Sequence, residues 1–443
     1  MKWIIAFLIF SLLVLFHEFG HFLVAKMNGV VVEEFSLGFG PRLLSTVRGG
    51  TRYSLKLLLF GGSCQMKGMY EIYDEEDEEN AGPREPEEGS FEGASIGRRA
   101  AIIFAGPFFN FILAFVCSII IISVVGYDPP EVISVREGSP ASEAGLEAGD
   151  IVTEFMGDHI AIGRDISSWF VLHDLAEGQE VSMSYTRNGE EKEIRFVPAV
   201  NVRYMLGMTY NADDGAAVIQ SVGEGSPLYN AGVRAGDVVT SINGNEITTA
   251  VSMRDYFSEN PLDGSEVRLV CERDGTSFET SLIPYESRTV DVGFSYNLGR
   301  VNTTPIGVLK YSLIEMRYWI VTTVKSVGQL FTGRFTVNDL SGPVGVVDIV
   351  GETYEEVKSE GALMTWMNML NMIVLLSSNL GVMNLLPIPA VDGGRLLFLA
   401  IEAIRRKPMN RKLEGAIQMV TVALLLFLMF YVMYHDMVRM LAH

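Results

Sequence analysis

Cysteine is scarce in this chain: Cys64, Cys117 and Cys271 are the three in 443 residues. An odd count at such separations builds neither a disulfide framework nor a CxxC metal knuckle. Basic charge is scarce as well. Lys and Arg number 34 against 54 Asp and Glu, a formal net charge of −20. Phosphate backbones need a basic surface, so a nucleic-acid partner is excluded. Histidine is the third shortage, with six in the chain. Two of them, His17 and His21, fall inside "LLVLFHEFGHFLVAK", which otherwise reads as a membrane helix.

Apolar sequence is abundant: 48% of residues are hydrophobic and the mean hydropathy is +0.25. It concentrates in four runs of membrane-spanning length, at roughly 3–25, 100–125, 363–386 and 416–434. Residues 3–16 have the apolarity of a signal-peptide core. Only Lys2 precedes them as a basic start, and no small-x-small site follows before HEFGH, so a retained helix is expected. "RRKPMNRK" (405–412) carries five basic residues and no acid, and Arg98 and Arg99 precede the second run. Four spans put both positions on one side, the cytosol by the positive-inside rule. Both termini and the stretch 126–362 are then extracytoplasmic; Lys2 points weakly the other way.

The expected fold class is a polytopic α-helical membrane protein with four transmembrane helices, a membrane-associated β-rich loop and two extracytoplasmic α+β domains. The boundaries predicted are 1–26 for the first helix, 27–70 for the β-rich loop and 71–97 for an acidic cytosolic linker. The second helix takes 98–126, the two domains 127–205 and 206–297, and an amphipathic connector 298–362. The third helix with a Pro-x-Pro segment takes 363–404, and the basic loop with the fourth helix 405–443. Within the first loop, 30–68 reads as strands around a Gly49-Gly50 turn, and 71–92 as a solvated acidic linker.

The outer stretch contains an internal repeat. "SVREGSPASEAGLEAGDIVTEFMGDHI" begins at Ser134 and "SVGEGSPLYNAGVRAGDVVTSINGNEI" at Ser221. Each copy reads as a strand, a short helix opened by Ser-Pro, then a Gly-Asp turn into another strand. That pattern resembles tandem bacterial PDZ domains, over about 130–200 and 215–288. "YMLGM" (204–208) and "DVGFS" (291–295) resemble the peptide-carboxylate loops of that family.

His17 and His21 are four residues apart, so both imidazoles lie on one helix face about a turn apart. That spacing suits two ligands of one metal ion, and Glu18 adjoins the first ligand as a base toward water. Ionisable groups at membrane depth cost roughly 2.5 kcal/mol or more each and mark function. A catalytic zinc site needs a third protein ligand and an open position. His159 and His173 fall in the first repeat, and His435 and His443 at the far end of the fourth helix. Asp392, in "NLLPIPAVDGGRLLF", sits in backbone that proline breaks at membrane depth, which is tolerated only when buried or lining a wet cavity. Asp392 is the expected third ligand of one Zn2+ per chain, with Glu402 as runner-up.

HEFGH in the first span, Pro-x-Pro-x-x-Asp-Gly in the third and PDZ-like repeats between them resemble the site-2 protease family of intramembrane metalloproteases. The tandem repeat is most similar to its regulator-of-sigma-E protease branch. "GFGP" (38–41), "FAGPFFNF" (104–111) and "SGPVGV" (341–346) extend the resemblance over nearly the whole chain. Val391 stands where the family has Leu, Arg395 where a histidine is common, and Leu59-Phe60-Gly61-Gly62-Ser63-Cys64 where it has Pro-Leu-Gly-Gly-Tyr-Val. The resemblance implies a zinc endopeptidase cutting a peptide bond in or near the membrane span of single-span substrates. It implies Glu18 as catalytic base, with Asn384, Gly61 and Gly62 at the substrate. Asn110 either lines the cavity or hydrogen-bonds between helices. Anti-sigma-factor-like substrates, cut first by a site-1-type protease, and remnant signal peptides are the implied targets. The repeats would exclude bulky outer domains, and the implied location is the bacterial inner membrane.

Overall fold

The computed structural model describes residues 2–69, 87–211, 214–335, 341–407, 409 and 411–442. The acidic run from 71 to 86, expected as a linker, lies outside the described residues, as do Pro408 and Asn410 of the basic loop. The chain divides into two compact units. One holds residues 1–130, 161–173 and 297–443; the other holds 131–160 and 174–296.

The first unit starts with helix α1 (Lys2–Met27), followed by strands β1 (Val32–Arg48) and β2 (Thr51–Met66). The Gly49-Gly50 turn falls where the pattern puts it, and both glycines have positive φ. Register shifts fold the two long strands into a small sheet. Phe35 faces Cys64 on one side and Tyr53 on the other, so the 61–66 stretch forms a margin. Leu43, Leu44, Val47, Leu57 and Leu58 are exposed on this hairpin. An apolar surface of that kind suits the membrane-associated loop expected here.

Helix α2 (Ile96–Val125) runs through Pro107, whose missing N–H leaves the Ile103 carbonyl without its helical donor. Two further helices are shorter: α3 (Gly163–Leu172), which lies in the first repeat but groups with this unit, and α4 (Ala250–Glu259), its counterpart in the second repeat. The connector forms two helices, α5 (Pro305–Thr332) and α6 (Pro343–Val357). The third span is α7 (Ala362–Leu385). It stops just before Pro387 and Pro389, which cannot continue it, and α8 (Asp392–Arg405) starts afresh. Helix α9 (Arg411–Ala442) closes the chain. The four expected spans are thus present as helices long and apolar enough to cross a membrane, at Trp3–Met27, Ile96–Val125, Ala362–Leu385 and Leu413–Met437.

Spans one to three share a core of Ala6, Leu13, Leu113, Ala114, Ile121 and Val374. The first two approach closely at Gly20, where a Cβ would lie 2.3 Å from the Ala105 carbonyl oxygen. Only glycine permits that contact. A second cluster joins the hairpin (Val32, Cys64, Met66) to Ile102, Ile103 and Leu399. Asp436 on α9 accepts hydrogen bonds from the amides of Gly342 (3.0 Å) and Gly345 (2.9 Å). It satisfies the orphan donors at the start of α6.

In the second unit the two repeats have the same sheet order. Strands 158–159, 151–155, 181–187 and 190–196 match 245–246, 238–242, 267–273 and 276–282. In each copy a Ser-Pro start caps a short helix: the Ser139 and Ser226 hydroxyls accept the amides of Ser142 and Tyr229. The copies are nested rather than consecutive. Phe294–Tyr296, after the second copy, pairs with Val132–Val135 of the first. Ala199–Met205 pairs with Tyr285–Asp291, so everything between Met205 and Tyr285 is an insertion into a two-stranded ladder.

Candidate metal centre

Helix α1 offers His17, Glu18 and His21 on one side of a single turn. Asp392 reaches the same point as the first residue of α8, where the helix dipole favours a carboxylate. The Nε2 atoms of His17 and His21 lie 3.2 Å apart. Asp392 Oδ2 lies 3.1 Å from the first and 3.4 Å from the second. Among the described residues this is the group of His, Cys, Asp and Glu whose ligand atoms converge.

The donor set fits a metal ion. Tetrahedral bonds of about 2.0–2.1 Å separate ligand atoms by roughly 3.3 Å, the spacing found here. Both histidines are buried, and Asp392 Oδ2 is buried with no hydrogen-bond donor. Such an atom costs free energy unless a cation satisfies it.

The far side of each imidazole is held. His21 Nδ1 lies 2.9 Å from the Ile102 carbonyl oxygen, so Nδ1 carries the proton and Nε2 is left free as a ligand. Asn110 Nδ2 lies 3.1 Å from His17 Nδ1. Asn110 Oδ1 is buried without a partner. Turning the amide over presents that oxygen to Nδ1–H, the tautomer that frees Nε2 of His17. The Asn110 carbonyl accepts from Ser377 Oγ at 2.8 Å, tying α2 to α7. Gly106 leaves room for the rings: a Cβ there would lie 2.3 Å from His21 Nε2 and 2.9 Å from His17 Cε1.

A cavity of about 640 Å3 opens on these groups. Glu18, Gly62, Asn384 and Asp392 line it, with Glu33, Ser63, Cys64, Gln65 and Arg395. The Cys64 amide on the sheet margin hydrogen-bonds the Glu18 carboxylate. The cavity thus brings together the histidines, Glu18, Asp392, Asn384 and Gly62. It does not bring in the other two substrate candidates. Asn110 is fully buried and serves His17, the second of its two expected alternatives, because the close packing of α1 on α2 seals it from the cavity. Gly61 is turned against the Phe39 ring, where a Cβ would lie 2.6 Å from Cε2. Glu402, the runner-up ligand, is consumed by Arg99 in a two-pronged pair at 2.6 and 3.2 Å. That pair anchors the far end of α8 and with it the helix that presents Asp392.

The hairpin beside the cavity has its own anchor. Glu34 is buried and accepts from Arg42 at 2.7 Å and Ser54 at 2.6 Å, with Lys56 at 3.2 Å. The Arg42 hydrogen bond, outweighing burial and joined by Ser54 and Lys56, holds the Glu34 carboxyl down at about 2. Neither this anchor nor the Ile102 contact has a sequence signature: the Glu34 anchor depends on the register of the β1–β2 hairpin, and the Ile102 contact joins residues 81 apart in the chain.

Apolar spans that bury an HExxH turn against an aspartate from a separate helix define a membrane-embedded metallopeptidase architecture. The chain belongs to peptidase family M50, whose sequence profile matches residues 5–428. The zinc metalloprotease RasP of Bacillus licheniformis is 30% identical over 459 residues, covering 99% of this chain and 100% of that relative. The regulator of sigma-W protease RasP of Bacillus subtilis is 29% identical, covering 99% and 98%. The regulator of sigma-E protease RseP of Escherichia coli is 29% identical, covering 97% of each. Among solved structures, the PDZ domain of a carboxy-terminal protease from Vibrio cholerae, in complex with peptide, covers 20% of this chain and 100% of that one. Its identity is 19% and its TM-score 0.17.

Proposed function

We propose that this M50 peptidase is a zinc endopeptidase that cuts its substrates within or beside a membrane-spanning helix. His17, His21 and Asp392 hold the zinc, and Glu18 is the catalytic base. The observation that carries the reading is the convergence of two imidazole nitrogens and one carboxylate oxygen 3.1–3.4 Å apart, next to Glu18.

When bound, zinc lowers the pKa of water and polarises the carbonyl of the scissile bond. Glu18 takes the proton of the attacking water and delivers it to the leaving amine. The buried walls around His17 and His21 restrict bulk water. A substrate helix hides its carbonyls in its own hydrogen bonds and has to unwind before attack. The 61–66 margin of the β1–β2 sheet, whose Gly62 to Met66 face the cavity, takes the unwound peptide as an added strand. Asn384 supplies a carboxamide to the peptide backbone from the α7 wall.

Two relatives are named as regulators of sigma factors; with the family resemblance, this supports membrane-bound anti-sigma-factor-like substrates, cut first by another protease, as our reading. The repeats, read as a nested PDZ pair, exclude substrates that keep a bulky outer domain. The basic residues near 98–99 and 405–407 support a cytosolic position for the ends of the spans that carry the site. The test is Glu18→Gln, assayed on a single-span peptide with product masses determined. Bound zinc stays at one per chain and cleavage falls by about 10²–10⁴-fold. Cleavage at the wild-type rate removes Glu18 from its assigned role.

A further inference from the structure

At the opposite end of the α2–α7 pair a second cavity, of about 490 Å3, opens between the last turn of α2 and the first half of α7. One wall is aliphatic, from Ile121, Val124, Met364 and Met367. Val124 and Met364 remain 43% and 40% exposed. On helices that span a membrane, the neighbour of such exposed side chains is lipid. The other wall is polar, from Arg300, Asn302, Asn368 and Asn371.

Two of these polar groups keep hydrogen-bonding capacity that no described residue uses. The Arg300 guanidinium donates to the Gly126 carbonyl at 3.0 Å but joins no ion pair among the described residues. The acids close by, Asp128 and Glu315, form their ion pairs with Arg164 and act on Arg300 only through space. Asn371 Oδ1 is buried with no donor. A guanidinium fork matches a phosphate, a carboxamide oxygen matches a hydroxyl donor, and the aliphatic wall matches the root of an acyl chain.

We propose that this cavity binds the headgroup of an anionic phospholipid, phosphate on Arg300 and headgroup hydroxyl on Asn371. Position favours lipid over substrate peptide. Asn368 and Asn371 lie roughly 160–220° around α7 from Asn384, the residue facing the metal cavity. A substrate helix reaching that cavity therefore runs along the other side of α7.

The test uses the full chain in neutral detergent, incubated with phosphatidylglycerol and read by native mass spectrometry. One lipid is retained per chain, and Arg300→Gln lowers its affinity about tenfold or more. Val124→Trp, which fills the cavity and leaves every ion pair in place, abolishes retention and keeps the test open if the arginine variant does not fold. Inorganic phosphate at equal concentration does not displace the lipid. Equal retention in wild type and Val124→Trp overturns the proposal. So does displacement by inorganic phosphate, which marks a simple anion site. Capture of the substrate peptide rather than lipid by a photo-crosslinker at position 371 overturns it as well.

Discussion

Asn110 and His17 are in contact across the α1–α2 packing, Asn110 Nδ2 lying 3.1 Å from His17 Nδ1. The asparagine touches neither the cavity nor the convergent ligand atoms, so it acts by setting the ring's orientation and tautomer.

Asn110→Leu should therefore weaken zinc binding about 10–100-fold while leaving the helices packed. Zinc competition with a fluorescent chelator measures this without any cleavage assay. Asn110→Asp, which keeps an acceptor for Nδ1–H, should recover most of the affinity. Unchanged affinity in the leucine variant removes the positioning role.

The nesting of the repeats makes a prediction about deletions. Replacing 206–284 by a two-residue turn joins Met205 to Tyr285, which are already paired neighbours. The first copy then keeps its partner strand Phe294–Tyr296 and should stay resistant to trypsin. Deleting 206–296 removes that strand and should expose the first copy to digestion. Equal resistance of the two deletions argues against the nested pairing.

Each repeat also carries a buried aspartate held by an arginine. Asp150 accepts from Arg187, and Asp237 from Arg273, each at 2.7 Å through Nε. Burial raises both carboxyl pKa values, and the arginine hydrogen bond with its neighbours more than offsets this, leaving both below 3.8. Their stabilisation is complete above that ordinary value and is lost as the pH falls through the lower folded value. Cys271 is fully buried in the second copy and reports its opening. With Cys64 and Cys117 replaced, Arg273→Gln should speed the labelling of Cys271 by a pyridyl disulfide at pH 7. The gap should narrow as the pH falls below about 3.8. A gap unchanged at pH 3 contradicts the ion-pair account.

What could be read without coordinates was local or periodic. The HEFGH turn, the four apolar runs, the Gly49-Gly50 turn and the two Ser-Pro copies each announce themselves within about 25 residues. Asp392 was legible because few acids lie at membrane depth and prolines break the backbone before it. The rest depends on contacts between distant segments. Nothing in "DVGFS" says that it pairs back to Val132–Val135, because strand partners leave no trace in a single chain's pattern. Asn110 was ambiguous for a similar reason: an asparagine in a span satisfies a neighbour or faces a cavity, and only the approach of α1 at Gly20 and Gly106 decides which. Nothing local distinguishes Gly61 from Gly62: the fold sets Gly61 against the Phe39 ring and turns Gly62 to the cavity.

A single zinc ion is proposed to sit among His17, His21 and Asp392, whose ligand atoms converge. X-ray absorption at the zinc edge on the Glu18→Gln protein tests it most directly. The account predicts one zinc with two imidazole nitrogens and oxygen donors at about 2.0–2.2 Å, and a lost shell in Asp392→Ala. A sulfur shell near 2.3 Å, which would bring Cys64 into the site, or a spectrum unaltered by Asp392→Ala, would contradict it.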